Sequence, residues 1–180
     1  MEPAPAYHGE GEHALWHVSE DPSIGTFVPH HVPEHARNEP LVYAVDTRHL
    51  PLYWFPRDCP RACFWAYSHT SEDDVRRWLD GDRHRRVHAV ESEWLPRMRE
   101  THVYAYRMPA ETFERWDRFW VSHEPVVPLE LVELGDLREL HAHARIELRH
   151  ERSLYPMWDE VVASTLDFSG IRLRNASLPA

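Results

Sequence analysis

The segment LYWFPRDCPRACFW, residues 52–65, sets Arg57, Asp58 and Arg61 between two aromatic runs. Guanidinium forks match carboxylate and phosphate oxygens, and aromatic faces stack on flat rings, so these residue types at this spacing suit an anion or carboxylate clamp. They suit equally a polar turn in which Asp58 pairs with an arginine. The prolines around the charged residues stiffen the loop, and stiff loops beside a core are where sites tend to lie. Arg172 and Arg174 in SGIRLRNA pose the same choice. If that stretch is a strand, Ile171 and Leu173 face one way and the two arginines the other. Nearer the start, LWHVSEDPSIGTFVPH, residues 15–30, opens as an apolar strand and breaks into a polar, proline-containing loop, leaving His17 and Ser19 at the strand's mouth. There His17 reads either as a ring that caps the sheet edge through a backbone carbonyl or as a hydrogen-bonding group of a ligand site.

Histidine is in excess, with 15 in the chain. Two groupings stand out, His30, His31 and His35 in one loop and His141 with His143 at the end of a helical pattern. Histidines four apart on one helical face can point at one ion, but Pro33 interrupts the first grouping. Two residues apart on a helix, as at 141 and 143, diverges by about 200°. Neither grouping reads as a physiological metal site, although a histidine-based, metal-dependent hydrolase stays among the alternatives. Cys59 and Cys63 in CPRAC are expected to be buried free thiols in a reducing compartment. A serine-nucleophile elbow G-x-S-x-G is absent, and neither cysteine has a catalytic setting.

The basic residues are all arginine, 20 against 30 acids, giving a formal charge of -10 with histidine neutral. Extended nucleic-acid binding needs a basic field and is not expected. A small anion held by a local arginine cluster is compatible with this balance. The start of the chain lacks a secretory pattern and no run approaches a membrane span, so a soluble, cytoplasmic protein with no membrane partner is expected.

These groups need elements to position them. Apolar runs of strand length, rich in Val, Tyr, Trp and Phe, occur at 14–18, 41–45, 61–67, 86–91, 102–108 and 126–134, and are expected to share a core. Between them, TSEDDVRRWLDG carries Ser71 as N-cap, acids in its first turn and Gly81 as a stop. ESEWLPRMRE predicts a helix that is short or begins at Pro96. PAETFERW, GDLRELHAHA and SLYPMWDEVVAST predict three more helices, the first two starting at Pro109 and Asp136. Helices interrupt the strands too irregularly for a repeated strand-helix-strand unit. The expectation is a Pro-, Gly- and Glu-rich arm at 1–13, then a single α+β domain over 14–180. Its core is a mostly antiparallel or split β-sheet with short flanking helices.

The ordered landmarks LWHVSEDPSIGTFVPH, PLVYAVDTRHLPLYWFPRDCP, VYAYRMPAETFERW, WVSHEPVVPLELVEL and FSGIRLRNA resemble a family of bacterial proteins of unknown function over about residues 14–176. A looser pattern, the His-x-Ser of LWHVS with the tyrosine of LVYAVD and the glutamate of WVSHEPVV, resembles ADP-ribosyltransferase-like folds, including the RNA 2'-phosphotransferases. That resemblance implies a nucleotide, NAD, as substrate. It gives Glu124 the catalytic carboxylate role, stabilising an oxocarbenium-like ribose. It also implies that His17 and Ser19 bond a ribose, that Tyr43 or Tyr53 stacks on a ring, and that Arg57 or Arg61 meets the pyrophosphate. The alternative on the same scaffold is a non-catalytic module that binds a small ligand or a protein.

Overall fold

The computed structural model describes residues 14–31 and 39–179. The expected arm at 1–13 and His35 lie outside the described residues. In chain order the strands are β1 (Leu15–Ser19), β2 (Val42–Asp46), β3 (Arg61–Trp65), β4 (Arg86–Glu91), β5 (Tyr104–Met108), β6 (Glu114–Trp116), β7 (Phe119–Ser122), β8 (Glu130–Glu133), β9 (Ile146–Glu151) and β10 (Asp167–Ile171). The helices are α1 (Glu72–Leu79), α2 (Leu95–Glu100), α3 (Leu137–His143) and α4 (Tyr155–Ala163). The fold is α+β, with a six-stranded antiparallel sheet and a four-stranded mixed sheet. Two compact units each take two stretches of chain, Met1–Trp54 with His102–Leu134 and Phe55–Thr101 with Gly135–Ala180. The six strand segments read from sequence fall four in the first sheet and two in the second.

In the first unit the strand order is β6-β7-β2-β1-β5-β8. β1 therefore sits inside the sheet, between β2 and β5. Leu15, Val42, Ala44, Phe27, Tyr106 and Val126 form a cluster on one face. Trp16, Val45, Leu50 and Ala105 pack on the other, as the period-two geometry of strands requires. Arg107 is buried on that second face. Its Nη1 donates to the carbonyls of Leu15 at 3.2 Å and Met108 at 3.0 Å, and its guanidinium lies 5.5 Å from the centre of the Trp16 ring. PAETFERW is not a helix. After a turn at 110–113 it enters a hairpin whose two-residue loop, Asp117 and Arg118, places Asp117 at a φ of 54°. The cross-strand pair Trp116↔Phe119, stacked at 6.1 Å, outweighs the local helical tendency.

In the second unit the order is β10-β3-β4-β9, antiparallel except for the parallel pair β4·β9. α1 forms as its ends dictate: the Ser71 hydroxyl accepts from Asp74 N at 3.1 Å, and Asp80 and Gly81 close it with φ values of 50° and 80°. α2 takes Pro96 in its first turn, following a 3-10 turn over 92–94. Asp136 caps α3 through its Oδ1, which accepts from Arg138 N and Glu139 N. Phe64, Val87, Trp78, Leu79, Val161 and Leu166 form an apolar cluster on one sheet face. Since Ala62↔Ala89 and Phe64↔Val87 alternate with Arg61↔Val90, Cys63↔His88 and Trp65↔Arg86, the opposite face carries the polar side chains.

Candidate functional site

In the first unit the β1–β2 register runs through Leu15↔Asp46 and Trp16↔Val45, and the next side chain, His17, reaches across to β2. Its Nδ1 lies 2.8 Å from the carbonyl oxygen of Tyr43. A carbonyl only accepts, so Nδ1 carries the proton and donates. The contact with a backbone carbonyl is the one the sequence offers as the structural role of His17, but it is made in the sheet interior rather than at an edge. The ring packs 4.6 Å from that of Phe27, which meets Tyr106 edge-on at 5.0 Å. At the end of the strand, the Ser19 hydroxyl accepts from Asp21 N at 3.1 Å, and the Asp21 carboxylate accepts from Ser23 N at 2.8 Å and Ser23 Oγ at 2.6 Å. Those bonds, the side-chain one foremost, hold the Asp21 carboxyl below its ordinary value. The Tyr106 hydroxyl donates to the Asp21 carbonyl at 2.6 Å and accepts from Ile24 N at 3.2 Å, fixing the loop over the sheet.

Glu124 is exposed in the connection between β7 and β8, where the Ser122 hydroxyl bonds both its backbone N and O at 3.2 Å. Two residues on, Val126 and Phe27 exchange both backbone bonds at 2.8 Å. The loop after β1 and the Glu124 segment are thus tied at the residue on which the His17 ring packs. Tyr43 does not place its ring here. It alternates with Val42 and Ala44 to the opposite face, against Phe119 and Trp116 at 6.1 and 6.3 Å. Tyr53, at the end of a 3-10 turn over 50–53, packs on the Trp16 face. Phe27, which packs on the His17 ring, and Tyr106, which meets Phe27 edge-on, were not singled out by sequence reasoning. The alternation of Tyr104 and Tyr106 with Ala105 and Arg107 was the sequence signal for Tyr106.

The arginine candidates belong to the second unit. Arg57 and Asp58 are exposed in a turn closed by Cys59 N donating to the Pro56 carbonyl at 3.0 Å, and the Asp58 carbonyl accepts from Asn175 Nδ2 at 2.9 Å. Arg61 is buried, its Nη1 donating to the Cys59 carbonyl at 3.0 Å and its guanidinium lying 5.2 Å from the centre of the Phe55 ring. The three residues read as one clamp are therefore divided between surface and interior. β10 ends at Ile171, and Arg172 adopts a φ of 55° to begin a 3-10 turn over 173–175, so the strand alternation proposed for Arg172 and Arg174 does not arise. Arg174 is exposed. Cys59 and Cys63 are buried and free, and burial pushes both thiols up to about 12. At neutral pH they are thiols, not nucleophilic thiolates.

His141 pairs with His88 rather than with His143. His141 Nδ1 lies 2.6 Å from the Leu137 carbonyl and must donate to it, leaving Nε2 to accept from His88 Nδ1 at 3.0 Å. This chain fixes both tautomers and leaves His88 Nε2 as a fully buried acceptor without a hydrogen-bond partner among the described residues. Burial, then the charge of Arg86, lowers the His141 pKa to about 4, with the Leu137 bond opposing. Burial and the neighbouring Arg86, His141 and Arg61 hold His88 well below its ordinary value. Among the described residues, no three His, Cys, Asp or Glu side chains are grouped to hold a metal ion.

Two sheets with interspersed short helices, and a histidine presented from the first strand beside a polar loop, define a small α+β protein. The chain belongs to the family of unknown function DUF6886, whose model matches residues 16–176. No curated protein and no solved structure matches it. Among the described residues, no helix is long and apolar enough to cross a membrane.

Proposed function

We propose that the chain is a cytoplasmic, nucleotide-handling enzyme of ADP-ribosyltransferase type, with NAD as substrate and its ribose-binding face on β1. The observation that carries this reading is the Phe27↔Val126 bridge, which joins the segment of Glu124 to the loop beneath the His17 ring. His17 and Ser19 alternate onto one face of β1, and the Ser19 hydroxyl, which accepts from Asp21 N, still has a proton to give to a ribose oxygen. In cleavage, the bond between nicotinamide and ribose breaks with its electron pair leaving on nicotinamide. The Glu124 carboxylate stabilises the cationic ribose until water or an acceptor nucleophile adds and loses a proton. Tyr43 enters this reading through its carbonyl rather than its ring.

One observation favours the second reading, a binding module without turnover. The Glu124 carboxylate is exposed, and a solvated charge stabilises a cationic centre less than a buried one does. Calorimetric titration with NAD tests the shared premise. Binding that weakens about tenfold in His17→Ala supports the β1 face, the loss expected from one hydrogen bond to a polar ligand. Unaltered binding in that variant refutes it.

A further inference from the structure

β8 ends one side of the six-stranded sheet, and among the described residues no strand pairs with its outer edge. Val132 and Leu134 pack on the Trp16 face and anchor it, while Leu131 lies opposite Tyr106 on the other face. Leu134 N donates to the Val103 carbonyl at 2.9 Å, so in the antiparallel ladder Val132 also turns its backbone groups towards β5. Leu131 and Glu133 therefore turn their N–H and C=O outward. The edge is apolar as well as open. Of the seven large hydrophobic side chains exposed among the described residues, four belong here. Leu131 is 43% exposed and Leu129 62%, while Val28 and Val127, which follow the two residues of the Phe27↔Val126 bridge, are 62% and 63% exposed. The charge of the strand comes from Glu130 and Glu133, both exposed, with His102 Nδ1 2.7 Å from Glu133 Oε1.

An outward row of backbone groups beside exposed apolar side chains is a template for a further strand. Charge decides which strand. A second copy pairing through its own β8 about Leu131 would bring two carboxylates from each chain into one short seam, between molecules that each carry a formal charge of -10. Residues 1–13 bring Glu2, Glu10 and Glu12 with no arginine, and meet the same objection. We infer that β8 takes an extended cationic peptide as a seventh strand, one that mirrors Glu130–Glu133 with a basic residue at each end of an apolar pair. Its apolar side chains lie against Leu129, Leu131 and Val132, and its basic ones against Glu130 and Glu133.

Calorimetry with the full chain tests this with three probes. The first is acetyl-Thr-Arg-Val-Val-Arg-Val-Thr-amide, which in antiparallel pairing sets its arginines opposite Glu133 and Glu130 and its valines opposite Val132, Leu131 and Leu129. The second has glutamate in place of both arginines. The third keeps the arginines but is N-methylated at the valine opposite Leu131, which removes a backbone donor and leaves the charge. The first peptide is expected to bind about tenfold more tightly than the second, the effect of two exposed ion pairs, and about tenfold more tightly than the third. Its binding should slow amide hydrogen exchange at Leu131 and Glu133. In Glu130→Arg/Glu133→Arg, whose changes lie at the surface, the preference should reverse to the glutamate peptide. The inference is overturned if the first peptide does not bind at millimolar concentration, if the N-methylated peptide binds as well, or if the double variant keeps the wild-type preference. It is overturned too if the protein alone sediments as a dimer in which the Leu131 and Glu133 amides are protected, since the edge then belongs to a second copy.

Discussion

Acidification between pH 6.5 and 4 should destabilise this protein through the buried histidine pair. His141 falls from 6.5 in the unfolded chain to about 4 in the fold, so within that window the unfolded chain binds the proton that the folded one refuses. Its contribution to stability is complete above pH 6.5 and is lost as the pH falls towards 4. At 1.36 kcal/mol per pH unit, that loss reaches about 3 kcal/mol. His88, fully buried and also held low, adds to it in the same direction. The carboxyls held low here, Asp21, Asp46 and Asp74, start from 3.8 and lose their contributions below this window. Urea unfolding followed by tryptophan fluorescence at pH 7 and pH 5 measures the effect. Wild type should lose about 2 kcal/mol or more at pH 5, while His88→Leu/His141→Leu should lose far less. Equal stability of wild type at the two pH values, or an equal loss in the double variant, refutes the neutral, tautomer-locked pair.

The same pair predicts non-additivity: His141→Leu alone strands the His88 Nδ1–H and should cost about 2 kcal/mol more than its loss of packing, part of which the double variant recovers, as a double-mutant cycle in urea will show. Tyr106→Phe removes the bonds to Asp21 and Ile24, and should cost about 1 kcal/mol in urea unfolding and weaken NAD binding at the β1 face. Gly170→Ala would set a methyl 2.6 Å from Leu173 Cδ1 and from Trp158 Cη2, and should lower stability by about 1–3 kcal/mol. Asp74→Ala breaks the bonds from Thr165 N and Oγ1 that tie α1 to the turn before β10, and thermal unfolding should report a loss of about 1 kcal/mol.

Elements whose ends carry their own chemistry were legible in the sequence. Ser71 and Gly81 bracket α1, Asp136 caps α3, and the Val- and Tyr-rich runs are strands. What failed were elements decided by strand pairings rather than by the residues at their own ends. PAETFERW becomes a turn and a strand because Trp116 meets Phe119 and Arg115 lies over Trp120, pairings that exist only once the hairpin closes. β9 went unread although Ile146, Leu148 and His150 alternate with Glu147, Arg149 and Glu151, because its charged residues mask a strand that pairs in parallel with β4. Within the candidate site, the types of His17 and Ser19 were readable, and so was the carbonyl contact of His17. The facing of Tyr43 was not, since a single residue of register decides which face a ring takes. The partner of His141 was equally hidden, 53 positions away in β4.

Release of nicotinamide from NAD by wild type and by Glu124→Gln tests the central claim most directly. The substitution keeps the side-chain size and removes the charge. It should lower release by roughly a hundredfold or more, the scale of losing a transition-state electrostatic group, while NAD still raises the melting temperature of both proteins. Equal release by the two proteins, or no release with no NAD-dependent shift in either, would contradict the assignment of β1 and Glu124 to a nucleotide-cleaving site.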